Sequence, residues 1–161
     1  MTKVMKLVGV VVLVAACSKG DEAGSSAKGA AKGPPAPVEL TALGLKGEGP
    51  SGTKADKAPI GDGLMVQGPD LVVNVEVASD SRSKTLDDDK KDAEMYSPKN
   101  AKEEALSDGW AYWYENKGGM GTNYFVHVRR DIGGKSIWCE TTSSSATQQA
   151  NALAFCKSLK P

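Results

Sequence analysis

The chain has 161 residues, 40% of them hydrophobic, with 20 basic and 20 acidic side chains and one histidine. That length suits one folded domain, and the zero net charge with no arginine-rich run excludes a polybasic nucleic-acid binder. A single histidine also leaves the usual histidine-based zinc sets incomplete.

Lys3 and Lys6 precede an apolar run, Leu7 to Val14, which ends at Ala15, Ala16 and Cys17. A charged start, a short apolar stretch and small residues are the layout of a secretory signal. The run is too short for a bilayer, which needs about 20 residues, and no later segment is apolar enough to span one. Val14-Ala15-Ala16-Cys17 resembles the lipobox of bacterial lipoproteins, with Val14 where leucine is the commoner residue. The resemblance implies cleavage before Cys17, a lipid on its thiol and acylation of the new amine. Several acyl chains anchor stably where one does not. Ser18, in place of the aspartate that signals retention, implies sorting to the outer membrane. The other reading of these residues is an ordinary signal peptide with a chance cysteine.

Cleavage before Cys17 removes the first 16 residues and leaves 145. The removed segment holds two lysines and no acid, so the remaining formal charge is −2. With Cys17 lipidated, Cys139 and Cys156 remain, and an even pair in an exported chain reads as a disulfide. Two buried thiols are the alternative. Residues 18–37 are almost all Gly, Ala, Ser, Lys and Pro with almost nothing to bury, which predicts a disordered linker. The domain organisation expected is therefore a signal peptide at 1–16, lipidated Cys17 with its linker at 17–37, and one folded domain at 38–161.

Within the domain, "VELTALGLKG" predicts an edge strand from Val38, and the loop-like stretch to Gly63 has room for one short strand. "LMVQ", Gly68-Pro69-Asp70 and "LVVNVEVAS" form a hairpin signal, with Leu71, Val73, Val75 and Val77 alternating onto one face. Residues 85–108 are charged and helical in character: Asp87, Asp88 and Asp89 suit a helix start, Leu86, Ala93 and Tyr96 share a face, and Pro98 interrupts. Asn100 and Glu103 suggest a second helix cap after it. The aspartate triplet lacks the spacing and central glycine of a calcium loop. "WAYWYEN", "TNYFVHVRR" and "KSIWCET" predict three meandering strands joined by glycine turns. Ser145 and Gln148 make a capping box for a last helix, about 145–159, that carries Ala152, Leu153, Cys156 and Leu159 on one face. Cys139 would then face the helix and Cys156 the sheet.

The expected fold is α+β: an antiparallel sheet of about five to six strands, with a helical crossover (about 85–108) and a C-terminal helix (about 145–159) packed on it. This order of elements, over residues 38–160, resembles the PsbP-like fold by topology. The likeness implies no catalytic residue, since a fold does not dictate a function.

No catalytic constellation is legible. His127 alternates with Phe125 and Arg129 as an ordinary sheet residue. The serine runs are not nucleophile elbows, the glycine turns lack the lysine of a phosphate loop, and no carboxylate pair sits in an apolar setting. No cofactor, no metal and no nucleic-acid partner is expected. Aromatic residues crowd the three meandering strands, and half of them must be core. Trp113, Phe125 and Trp138 are the candidate binding face, able to stack a sugar ring or dock an apolar partner if one sheet face stays open. The functions that fit are a lipid-anchored envelope protein with a non-catalytic binding or scaffolding head, a small-ligand or glycan-binding module using that face, or, last, a hydrolase with an unrecognised site. Its protein or glycan partner is not legible.

Overall fold

A computed structural model of the chain describes residues 34–161. The residues expected to form the signal segment, Cys17 and the expected linker up to residue 33 lie outside the described residues. Chain order begins with β1 (Ala36–Leu40) and β2 (Leu45–Gly49), an antiparallel hairpin in which Leu40 pairs with Leu45. One edge strand was expected here. The chain instead reverses over Thr41–Gly44, where Gly44 takes a φ of 70° that a side chain would resist. The first strand also starts at Ala36, two residues ahead of the expected domain boundary at Val38.

Seven further strands form one sheet: β3 (Lys54–Lys57), β4 (Leu64–Gly68), β5 (Leu71–Val77), β6 (Lys99–Leu106), β7 (Gly109–Gly118), β8 (Gly121–Ile132) and β9 (Lys135–Ser143). Their spatial order is β3-β4-β5-β9-β8-β7-β6, and every neighbouring pair is antiparallel. The fold is α+β as expected, with more strands than the five to six anticipated. After β5 the chain crosses one face of the sheet through α1 (Leu86–Ala93) and a short 3-10 turn, Glu94–Tyr96. It then starts β6 at the far edge and meanders back until β9 lies beside β5.

The crossover corrects the expectation for residues 97–108. Helix stops at Tyr96, Ser97 turns with a φ of 52°, and the segment around Asn100 is strand rather than a second helix. Lys-Glu-Glu-Ala-Leu favours helix locally, but β7 presents a long ladder edge whose backbone groups need partners. Pairing Glu103 with Tyr112 and Lys102 with Trp113 supplies them. The mostly exposed, charged side chains of β6 then suit an edge strand that must resist further pairing.

Each sheet face carries its own apolar cluster. The first includes Leu71, Val73, Val75, Val126, Val128 and Ile137, packed under α2 (Ala146–Ser158). Ser145 caps this helix through its side chain, which accepts from the Gln148 backbone N–H at 3.4 Å. Ala152, Phe155 and Cys156 face inward, joined by Leu159 just beyond the helix end. Cys139 of β9 is bonded to Cys156 with their Cα atoms 5.8 Å apart. The β1–β2 hairpin closes this side, and at Gly47 a Cβ would come within 2.9 Å of the Phe155 ring. Arg130 secures the far end of α2. Its Nη1 donates to the carbonyls of Lys157 and Leu159, both at 2.7 Å, while Asp108 holds its Nε and Nη2. A cation there answers the negative end of the helix dipole and its unpaired carbonyls.

The second face carries Trp110, Tyr112, Tyr114, Phe125 and Trp138. Its cover is α1, only eight residues long. A helix that short cannot roof a sheet of this width, and the uncovered remainder is a cleft.

Candidate functional site

Strand alternation builds the floor of this cleft. Tyr114 of β7 pairs with Phe125 of β8, and His127 of β8 pairs with Glu140 of β9, so these four side chains share one face with Trp138 and Thr142. Tyr114 and Phe125 stack with ring centroids 4.6 Å apart and an interplanar angle of 7°. Tyr96, from the 3-10 turn, lies 5.6 Å from Phe125. The walls are Ser81, Arg82 and Ser83 on one side and Asp89, Asp92, Ala93 and Met95 on the other, enclosing a cavity of about 280 Å³. That is near the lower bound for small-molecule sites, roughly 300 Å³.

Three polar systems line it. Arg82 donates from Nε to Glu76 at 2.7 Å and from Nη1 and Nη2 to Glu140 at 3.0 and 2.6 Å. Its guanidinium carbon lies 5.4 Å from the Trp138 ring centroid, and the Trp138 indole N–H donates to Glu140 at 2.9 Å. Arg82 is thus held by two carboxylates and an aromatic face.

The second system is Asp89 with His127. Asp89 is 3% exposed, and its two carboxylate oxygens lie 3.1 and 2.9 Å from His127 Nδ1. A buried carboxylate needs such a partner, and this one ties α1 to the centre of the sheet. With Nδ1–H donating to Asp89, a neutral His127 presents Nε2 as an acceptor. Nε2 makes no hydrogen bond among the described residues.

The third is Tyr114, whose ring is fully buried and whose hydroxyl has no partner among the described residues. Burial, then the nearby charge of Asp89, pushes that hydroxyl well above the ordinary tyrosine range, so it stays protonated. Buried hydroxyls are rarely left unpaired.

Two serines stand near the histidine, but their hydroxyls are engaged elsewhere: Ser83 donates to Asp92 at 3.0 Å, and Ser81 pairs with Ser79 at 2.8 Å. Among the described residues no group of three or more His, Cys, Asp or Glu side chains could hold a metal ion, and no helix is long and apolar enough to cross a membrane.

The structure divides the candidate face of Trp113, Phe125 and Trp138. Phe125 and Trp138 lie under α1 at 8% and 2% exposure, whereas Trp113 packs against the cluster on the α2 side. Trp113 pairs with Val126, and Tyr112, not Trp113, pairs with His127. The expected phase between β7 and β8 was off by one residue, and a one-residue slip moves a side chain to the other face. His127, read as an ordinary sheet residue, is part of the cleft. Arg82 and Glu140 carry no signal in the sequence, while Asp89 stands there only as part of a helix-starting triplet and Tyr114 only as one of the strand aromatics. A signal for Asp89 existed: it stands three residues after Leu86 and four before Ala93, on the helix face those two apolar residues share.

No protein-family model matches this chain, and no curated protein matches it.

Proposed function

We propose that this chain is a lipid-anchored protein of the cell envelope, sorted to the outer membrane, whose head is a non-catalytic binding module that takes a small ligand into the cleft beneath α1. The anchor rests on Lys3, Lys6, the apolar run and Cys17. The binding role rests on one observation: Tyr114, whose buried hydroxyl has no partner, and His127, whose Nε2 makes no hydrogen bond among the described residues, both line the cleft with their rings 5.9 Å apart. A ligand that hydrogen-bonds to both would meet needs that the protein itself leaves open. Met95, 78% exposed, and Tyr96, 46% exposed, stand at the mouth as an apolar lip. A flat sugar-stacking platform is not favoured, because Phe125 and Trp138 lie beneath α1. The non-catalytic reading is supported by Ser81 and Ser83, whose hydroxyls bond away from His127.

The test of the binding role is ligand-observed NMR of the full-length protein against small amines, alcohols, carboxylates and monosaccharides, beside the variant Ser81→Trp. Ser81 is exposed at the cleft edge, so an indole there should block entry without disturbing the core. Binding by at least one class, lost in Ser81→Trp, is the expected result; no binding by any class defeats the binding role. For the anchor, wild type should fractionate with membranes and carry a lipid mass at its mature N-terminus. Cys17→Ser should be released or left unprocessed.

A further inference from the structure

We infer that the ligand of the cleft beneath α1 is a small organic cation: an amine joined to a ring or short apolar body. The inference rests on the binding role proposed above and names its ligand class. Charge points to a cation. Three carboxylates, Asp89, Asp92 and Glu140, line the cleft against one guanidinium, Arg82. That guanidinium is already held by Glu76 and Glu140. An anion entering here would meet uncompensated negative charge, and a cation would relieve it.

Hydrogen-bonding capacity points the same way. Asp92 is exposed at the rim and engages one of its oxygens with Ser83. His127 Nε2 in the neutral ring accepts only, and the Tyr114 hydroxyl can accept as well as donate. A site rich in acceptors suits a ligand rich in donors, and an ammonium brings three N–H donors and no acceptor. The unpartnered Tyr114 hydroxyl, on a fully buried side chain, is the observation independent of charge.

The apolar lining completes the argument. Tyr96, Phe125, Tyr114 and Trp138 place ring faces and edges around the same space. Aromatic faces attract cations, and they also pack against a ligand ring. A body of about ten non-hydrogen atoms is of the right order for a cavity of about 280 Å³.

The experiment is isothermal titration of the full-length protein with a matched series on one phenyl ring: phenethylamine, phenethyl alcohol and 3-phenylpropionate. Phenethylamine should bind roughly tenfold more tightly than the alcohol, the size expected when one ion pair and one cation–aromatic contact act together. 3-Phenylpropionate should bind more weakly than either. Asp92→Asn and Tyr96→Ala, both at exposed positions, should each lower affinity for the amine, and Asp92→Asn should leave the alcohol unchanged. Asp92→Asn should melt with wild type, and Tyr96→Ala, which gives up its packing on Phe125, should lose only a few degrees and stay folded at the titration temperature, which separates lost binding from lost folding. If the alcohol or the carboxylate binds as tightly as the amine and is blocked by Ser81→Trp, the cation inference fails while the cleft remains a binding site. If the amine binds but neither variant changes it, it binds elsewhere and the inference fails. If no member of the series binds at millimolar concentration, the cation inference fails; the binding role falls with it only if the wider NMR screen is also blank.

Discussion

Replacing Asp89 with alanine tests the contact that holds α1 on the sheet and so shapes the cleft. Asp89 is 3% exposed and both of its oxygens lie within 3.1 Å of His127 Nδ1. A hydrogen bond to a charged group contributes about 1.5–3 kcal/mol. The substitution also removes a carboxylate from the first turn of α1, where the helix dipole favours one by about 0.3–1 kcal/mol. Two effects work against the loss. Alanine is the better helix former by about 0.5 kcal/mol, and His127, 18% exposed at its side chain, can turn part of its freed N–H to water. The net expectation is a loss of about 2 kcal/mol, or a fall in Tm of roughly 6–10 °C for a domain of this size. Thermal unfolding followed by circular dichroism, with the disulfide intact, measures it. The double-mutant cycle with His127→Phe should return a coupling of at least about 1 kcal/mol. A loss under about 0.5 kcal/mol for Asp89→Ala, or no coupling to His127, would refute the assignment of this pair as the tie between helix and sheet.

Reduction of the Cys139–Cys156 bond, which closes a loop with a sequence separation of 17, should lower stability by about 3 kcal/mol. Denaturant titration with and without reductant reads this, and free-thiol labelling of the native head should be blank. Arg130→Ala should cost about 2–3 kcal/mol, because it releases the carbonyls of Lys157 and Leu159 and strands Asp108. Amide exchange should then rise first at the end of α2. Tyr114→Phe should leave the free protein as stable or stabilise it by up to about 1 kcal/mol, since it removes a buried hydroxyl that has no partner. The raised tyrosine pKa has its own signature. Below the ordinary range near 10 the Tyr114 contribution is fully present, and stability should fall as pH rises from there toward the elevated folded-state value. That alkaline loss should shrink in Tyr114→Phe.

The parts of the fold that follow a local rule were legible in the sequence. Leu71, Val73 and Val75 alternate as the buried face of a strand, with Val77 exposed at its end, and Ser145 with Gln148 marks the start of α2. The facing of Cys139 and Cys156 follows from strand and helix periodicity together. Residues 99–106 misled because their helix propensity is local, while the demand of the β7 edge for a partner is not. The β1–β2 hairpin looks like one strand in the sequence because Thr41–Gly44 carries a single glycine as its turn signal. The cleft was the hardest part to see. It depends on inter-strand register, which alternation within one strand does not specify, and on contacts such as Arg82 with Glu140, separated by 58 positions. A lone histidine completes no zinc set, and the sequence does not show that His127 is partnered by an aspartate on a helix that crosses the opposite side of the cleft.

The central claim is that the space between α1 and the sheet is a binding site, and a chemical-shift map of the full-length protein titrated with phenethylamine tests it most directly. Backbone amide shifts should concentrate at Arg82, Ala93, Tyr96, Phe125, His127 and Thr142, which line the cleft from three different parts of the chain. Val126 and Ala152, on the α2 side of the sheet, should move little. Shifts centred on α2 or the β1–β2 hairpin, or a map with no localised change at saturating amine, would contradict the account.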